Sequence, residues 1–362
     1  MTGRGLEKLD SITGERSIGK GMTPIVRRAI TGGRLLVTAG LFWFLVSRVD
    51  VGQAADLISK SMSRSLFAGV LVLAATIPVN ALRWHTILAS RSKFPSNFTL
   101  LKIILVGLFF NQVLPTGVGG DAVRSWRCKQ LGIDLRAAIR SILIERASGY
   151  FILVILYAAG LPFLLAAMPE AFEKRVILAV LLAAIGGLAL LFILDWVTSF
   201  APRSAVITLL ADLSRDARRL CSEFSRLATV LFLSGLGIGL TVLSFKFLGD
   251  SVSVELSYLT WLIIVPPVAL IQLLPVSLAG WGVREATLVV VLAGVGVPNE
   301  NGLATSLLFG LCQLVIALPG GLIWLTGWDL KHPDKRQMAT SAAVKSLDAN
   351  SVSNLTSGER GS

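Results

Sequence analysis

The sequence predicts an all-α polytopic membrane protein of about six to eight transmembrane helices, with re-entrant broken helices in two inverted repeats. Three observations carry that prediction: the hydrophobic share of the composition, a series of long apolar runs, and a polar Pro-Gly motif that recurs 160 residues downstream. Of 362 residues, 54% are hydrophobic and only 15% are charged. Mean hydropathy is +0.73. Soluble domains carry about 45–50% apolar and about 25% charged residues, so soluble globular classes are excluded. The runs are continuous rather than alternating, which excludes an outer-membrane barrel.

The formal charge of +12 is read as topology. Lysine and arginine crowd the cytoplasmic loops of multispan proteins, whereas a nucleic-acid binder gathers them on one face. No nucleic-acid partner is expected. Cys128, Cys221 and Cys312 are far apart and form no CxxC, so neither a zinc site nor a disulfide framework is indicated. His85 and His332 are too few and too distant for a His-rich metal centre, and no cofactor is expected.

Residues 1–28 form a polar tail, rich in Lys and Arg, with no apolar h-region of a signal peptide. The first span covers about Ala29–Ser47, with Arg34 and Arg48 snorkelling at its ends. Val51, Ala54, Ala55 and Ile58 then recur at helical spacing and suit the membrane surface. The second span, Ser65–Ala89, carries Asn80, Arg83, Trp84 and His85 at its far end, where Asn80 and Arg83 read as interfacial groups. An apolar run follows from Phe98 to Leu114, interrupted by Lys102. Further spans fall near Ala147–Ala167, Arg175–Val197 and Leu227–Leu248. Leu256–Leu274 is broken by Pro266-Pro267. Val283–Val297 and Leu303–Trp324 complete a membrane domain over 29–330. Residues 331–362 are Ser-, Asn- and Gly-rich and predict a disordered cytoplasmic tail. Trp84, Trp261, Trp281, Trp324 and Trp328 read as interface-belt tryptophans.

The basic stretches 1–28, Arg124–Arg146 and Thr198–Arg226 are expected in the cytoplasm, and the acidic links near Glu170 and Asp250–Glu255 outside. Arg91 and Lys93 also read as cytoplasmic. A full span at Phe98–Leu114 would then put one flank on the wrong side. A re-entrant segment that breaks near Pro115 and returns resolves the conflict.

The motif Asn111–Arg124, NQVLPTGVGGDAVR, aligns with Ile271–Arg284, IQLLPVSLAGWGVR, with six of fourteen positions identical. The matches are Gln112/Gln272, Leu114/Leu274, Pro115/Pro275, Gly120/Gly280, Val123/Val283 and Arg124/Arg284. Three spans separate the copies, and an odd number inverts the second relative to the first. Inverted repeats with broken helices are a transporter signature. Pro115 and Pro275 stop a helix, and Gly120 and Gly280 let backbone approach a ligand. A helix beginning near Asp121 or Trp281 presents unpaired N–H groups to an anion. Arg124 and Arg284 supply forked donors suited to phosphate. Each feature also has a plainer reading. Arg124 fits a positive-inside loop, Asp121 an N-cap, Gln112 and Gln272 helix–helix hydrogen bonds, and Arg284–Glu285 a structural pair. Glu145-Arg146 opens a span and reads the same way.

NQVLPTGVGGDAVRSWRCKQLG and the following SILIERASGY resemble the first signature of the lysylphosphatidylglycerol synthase transmembrane-domain family, also called the flippase-like domain family. LLPVSLAGWGVREATLVVVLAGV resembles its second signature. The resemblance extends over about Ala29–Leu330. It implies a bacterial inner-membrane protein of about eight membrane segments that moves a modified lipid between leaflets. It sets Asp121, Arg124, Glu145, Arg146, Arg284 and Glu285 on the family's polar signature positions. Members that make lysyl-lipid carry a large soluble domain after the membrane part. Here about 32 polar residues follow Leu330, so synthase activity is not implied.

The expected function is a non-enzymatic lipid flippase or lipid-binding transporter for a phosphate-bearing lipid, aminoacylated, hopanoid-linked or polyprenyl-linked. Its substrate-binding residues are Gln112, Gly120, Asp121, Arg124, Glu145, Arg146, Gln272, Gly280, Arg284 and Glu285. The alternative is an accessory subunit for an envelope-lipid or glycolipid biosynthetic enzyme. No GxxxxGK[ST] is present, so ATP-driven transport by this chain is not expected. Both termini are expected in the cytoplasm.

Overall fold

The computed structural model describes residues 64–88, 95–114, 119–167, 171–199, 205–272 and 283–326. These residues are helical, joined by short turns, and contain no strand. Ten helices follow in order: α1 Arg64–Leu88, α2 Asn97–Val113, α3 Gly119–Gln130, α4 Leu135–Ala167, α5 Ala171–Ser199, α6 Ala205–Ser222, α7 Phe224–Asp250, α8 Tyr258–Ile271, α9 Val283–Ala293 and α10 Asn299–Thr326. Helices α1, α4, α5, α7 and α10 are long and apolar enough to cross a membrane. Helices α2 and α8 are apolar but short. At 1.5 Å per residue they reach only about 20–25 Å, less than the ~30 Å hydrocarbon core. The first span (Ala29–Ser47), the surface segment after it, both tails, Gly280, Trp281 and Trp328 lie outside the described residues.

The repeat extends well beyond the fourteen-residue motif. Displaced by 160 residues, α1, α2, α3 and α4 fall on α7, α8, α9 and α10 within a few residues at each end. Local chemistry repeats as well. Ser96 caps α2 by accepting the Thr99 N–H, and Ser257 caps α8 by accepting the Thr260 N–H. Such caps satisfy amide groups that a helix start leaves without intrahelical partners.

The two four-helix units are interlocked. Helices α1 and α7, which occupy equivalent places, run along one another. Helix α2 packs on α10, and its counterpart α8 packs on α4, the counterpart of α10. Equivalent glycines sit at these two crossings. A methyl at Gly320 would overlap the Leu105 carbonyl, and one at Gly160 would lie 2.8 Å from the Ile263 Cγ2. Helices α5 and α6 link the units and pack on each other.

Three sequence expectations change. Pro266-Pro267 do not break α8, which runs to Ile271 with both prolines buried. Each proline removes one amide donor, but bundle helices tolerate this where neighbouring protein surrounds them. Thr198–Arg226 is not a loop: most of it is α6, whose apolar side, Ala211, Leu213 and Ala217, is buried. Trp84 and Trp261 are not belt residues, since both are fully buried in the core.

Candidate functional site

Much of the basic stretch Arg124–Arg146 is packed against neighbouring helices, while Lys129–Gly132 and Asp134–Arg136 are exposed. Helix α3 carries its polar motif against α2 and α4, its Arg124 reaches Trp84 of α1, and Asp121, Arg124, Arg127 and Glu145 are all buried. A buried charge without a partner costs several kcal/mol. Such groups therefore gather partners, and here they gather one another.

Glycines set the crossing. The Gly120 backbone lies against the Gly107 carbonyl, where any side chain would collide, and the Arg124 side-chain stem lies on Gly107. The Gly120 N–H donates to Asn111 Oδ1 at 2.8 Å. The expectation that Gly120 admits a ligand is thus corrected: the space is filled by α2, and one amide expected to face an anion is held by Asn111.

Arg124 projects from α3 onto the Trp84 ring, 4.1 Å from its centroid. Its Nη2 pairs with Glu145 Oε2, and its Nη1 donates to Asp121 Oδ1 at 3.4 Å. Arg83 reaches the same carboxylate from α1, Nη2 to Glu145 Oε1 at 3.1 Å. Arg146 closes on Asp121 Oδ2 and donates to the Tyr150 hydroxyl at 3.3 Å. The result is a chain Arg83–Glu145–Arg124–Asp121–Arg146. It holds three guanidinium groups and two carboxylates. The buried Nε atoms of Arg83 and Arg124 make no hydrogen bond within the described residues. Hydroxyl groups complete the surroundings. Arg83 donates to Ser234, Ser234 to Ser148, and Ser148 to the Glu145 carbonyl. Trp84 Nε1 donates to Ser141 Oγ at 3.1 Å.

The second copy of the motif builds a different group. Arg284 is buried beside Glu285, with Nη2 donating to Oε1 at 2.6 Å. It also reaches Ser306 at 3.2 Å and Gln313 at 3.1 Å on α10, and lies 5.6 Å from the Phe309 ring centroid. The arginine repeats, but its carboxylate partner does not. In the first unit Glu145 comes from the long helix α4 and Asp121 from one turn earlier on α3, and in the second the carboxylate is the adjacent residue on α9. Asp121, Arg124, Glu145 and Arg146 therefore assemble together, and Arg284 with Glu285 separately. Gln112 is half-buried, and Gln272 turns its amide back to the Val268 carbonyl at 3.2 Å, capping α8.

Sequence reasoning underrated Arg83, which read as an interfacial group, and missed Asn111, Ser141, Ser148, Tyr150, Ser234, Ser306 and Gln313. Tyr150 was accessible in principle, being four residues beyond Arg146 on one helix face. The serines come from different helices and carry no local signal. Arg127, in the stretch read as cytoplasmic charge, is 1% exposed and lies against the rings of both Trp126 and Trp324.

Fold and site together define a polytopic helical membrane protein with a buried arginine–carboxylate centre assembled by one of two repeated four-helix units. The chain belongs to the family described as the lysylphosphatidylglycerol synthase TM region, whose model matches residues 33–321. No curated protein and no solved structure matches it.

Proposed function

We propose that this chain is a lipid flippase of a bacterial inner membrane, and that it moves a phosphate-bearing lipid between leaflets without chemistry of its own. The observation that carries the reading is the composition of the first centre, three guanidinium groups against two carboxylates with two buried Nε donors left over. A phosphodiester would supply the missing negative charge and accept forked hydrogen bonds from arginine. Family membership supports a lipid-related membrane role. The full pairing of Glu145 and Asp121 with arginines favours binding over acid–base work, which needs a carboxyl group poised to exchange its proton.

The same reading supplies a topology. Helices α2 and α8 enter the membrane and return through α3 and α9 as re-entrant pairs, leaving α4, α5 and α7 as the spans between them. Three spans invert the second unit relative to the first, so each unit would open toward one leaflet and rocking between them would alternate access. The positive-inside bias puts both termini in the cytoplasm.

The test is leaflet exchange in proteoliposomes, with labelled anionic, aminoacylated and polyprenyl lipids, for the wild type and Arg124→Ala/Arg284→Ala. Exchange of one lipid that disappears in the double variant is the expected result. No exchange of any lipid by folded protein would overturn it and leave the role of accessory subunit to an envelope-lipid or glycolipid enzyme.

A further inference from the structure

Beside the buried centre, and separate from it, lies a cleft of about 210 Å³ where α6 meets the ends of α1, α4 and α7. That is far above the ~10–15 Å³ that a single water needs. Its walls carry Arg140, Asp216, Arg219, Glu223 and Arg226, and Ser141 forms part of its floor. The charges are not equivalent. Arg140 is held by Asp212 and Asp216, each at 2.8 Å, which fastens α6 to α4. Glu223 pairs with Arg226 one turn away. Arg219 is exposed and forms no ion pair among the described residues. The cleft therefore keeps one uncommitted guanidinium and a second whose only carboxylate is a half-exposed neighbour.

The adjoining opening shares Glu223 and Arg226 and adds the hydroxyl groups of Thr86, Ser225 and Thr229. The Thr86 and Thr229 hydroxyls donate to the Leu82 and Ser225 carbonyls, so the donors suited to phosphate oxygens are the two arginines and the Ser225 hydroxyl. Phe224 stands at the same mouth, 82% exposed, and Phe232, two turns further along α7, is 69% exposed. A ligand whose charged end sat between Arg219 and Arg226 would find an apolar helix face leading away from it. On the inner side, Ser141 accepts from Trp84, the ring under Arg124.

We propose that this cleft binds a phosphate-bearing anion through Arg219 and Arg226. The shared chemistry is a phosphate oxygen array, borne either by a lipid headgroup or by free phosphate. This site is additional to the proposed transport centre, and its test reads occupancy at the cleft itself.

The experiment follows alkylation of the Ser225→Cys thiol in a Cys221→Ser background, using the full chain in uncharged detergent. The probes are dihexanoyl-phosphatidylglycerol, inorganic phosphate and dihexanoylglycerol. Phosphatidylglycerol is expected to slow alkylation at least fivefold, and dihexanoylglycerol to leave it unchanged. Protection is expected to vanish in Arg219→Ala/Arg226→Ala and to survive in part in Arg219→Lys/Arg226→Lys. It is expected to persist in Arg136→Ala/Arg218→Ala, which removes the same charge from exposed positions outside the cleft. Protection by inorganic phosphate at matched concentration would identify free phosphate as the source, and protection by the lipid alone a headgroup. Absence of protection by either, or equal protection after loss of both cleft arginines, would overturn the proposal.

Discussion

The guanidinium of Arg124 lies 4.1 Å from the centroid of the Trp84 ring while its Nη2 pairs with Glu145. Trp84 is itself fixed by its bond to Ser141. One residue is thus held by an aromatic face, a carboxylate and a crossing of glycines at once. A desolvated cation–π contact is worth about 2 kcal/mol or more. Replacing Trp84 with Leu is expected to lower the unfolding midpoint and to reduce lipid exchange. Arg124→Lys keeps the charge but loses the fork. Charge-assisted hydrogen bonds contribute about 1.5–3 kcal/mol each, so exchange is expected to fall roughly 10- to 100-fold. Unchanged exchange in Arg124→Lys would show that only net charge matters.

Glu145 is shared between Arg83 and Arg124. Removing one partner of a buried pair leaves an uncompensated charge and costs about 3–5 kcal/mol. Glu145→Gln is therefore expected to destabilise strongly. Arg83→Gln/Glu145→Gln should be more stable than the sum of its single variants, because the charge left over by one is removed by the other. Thermal unfolding in detergent measures the cycle, and strict additivity would mean that Arg83 and Glu145 do not interact.

The two equivalent glycines are expected to differ in tolerance. At Gly320 the obstacle is backbone, the Leu105 carbonyl, which cannot move without parting α2 from α10. At Gly160 it is a side-chain branch, the Ile263 Cγ2, with no backbone atom among the nearest neighbours, so a shift of that side chain relieves the contact. Gly320→Ala should therefore destabilise more than Gly160→Ala. Gly186→Ala meets nothing within 4 Å and should be neutral or stabilising, since helical glycine is about 1 kcal/mol worse than alanine. Midpoints in the reverse order would contradict the crossing described.

The thiols give a check on packing. Cys128 is buried, and alkylation requires a thiolate that the reagent can reach. Cys221 is exposed. In native protein at pH 8, maleimide should modify Cys221 quickly and leave Cys128 untouched until denaturant is added. Rapid native labelling of Cys128 would show that α3 is not packed as described.

Topology can be read the same way. In a Cys221→Ser background, Val118→Cys and Leu278→Cys are expected to react with impermeant reagent from opposite sides of the membrane. Reaction from one common side would refute the inverted arrangement.

The helical class, the spans and the repeat were legible because they rest on local signals. Twenty apolar residues in a row carry the length of a span, and a motif recurring at 160 residues carries the doubling. The serine caps at Ser96 and Ser257 and the paired glycines at 160 and 320 are traces of the same repeat in single residues. The sequence also singled out Asp121 and Arg124 on a polar Pro-Gly motif and Glu145-Arg146 at the start of an apolar span, and the family resemblance set all four on signature positions. It could not pair them. Arg83 read as an interfacial charge and Arg127 as a cytoplasmic charge, since hydropathy records how far a residue lies along the chain and not what surrounds it. Pro266-Pro267 read as a break because local rules price a proline without its neighbours. Whether a charge meets water, lipid or another charge depends on which helices cross above it. Close crossings at Gly107, Gly120 and Gly320 determine that, and they join positions far apart in the chain. Composition and periodicity therefore decided that this is a repeated helical membrane protein. Only the packing of α1, α3 and α4 decided that one arginine of the repeat would share a carboxylate with Arg83 while its counterpart paired with its own neighbour.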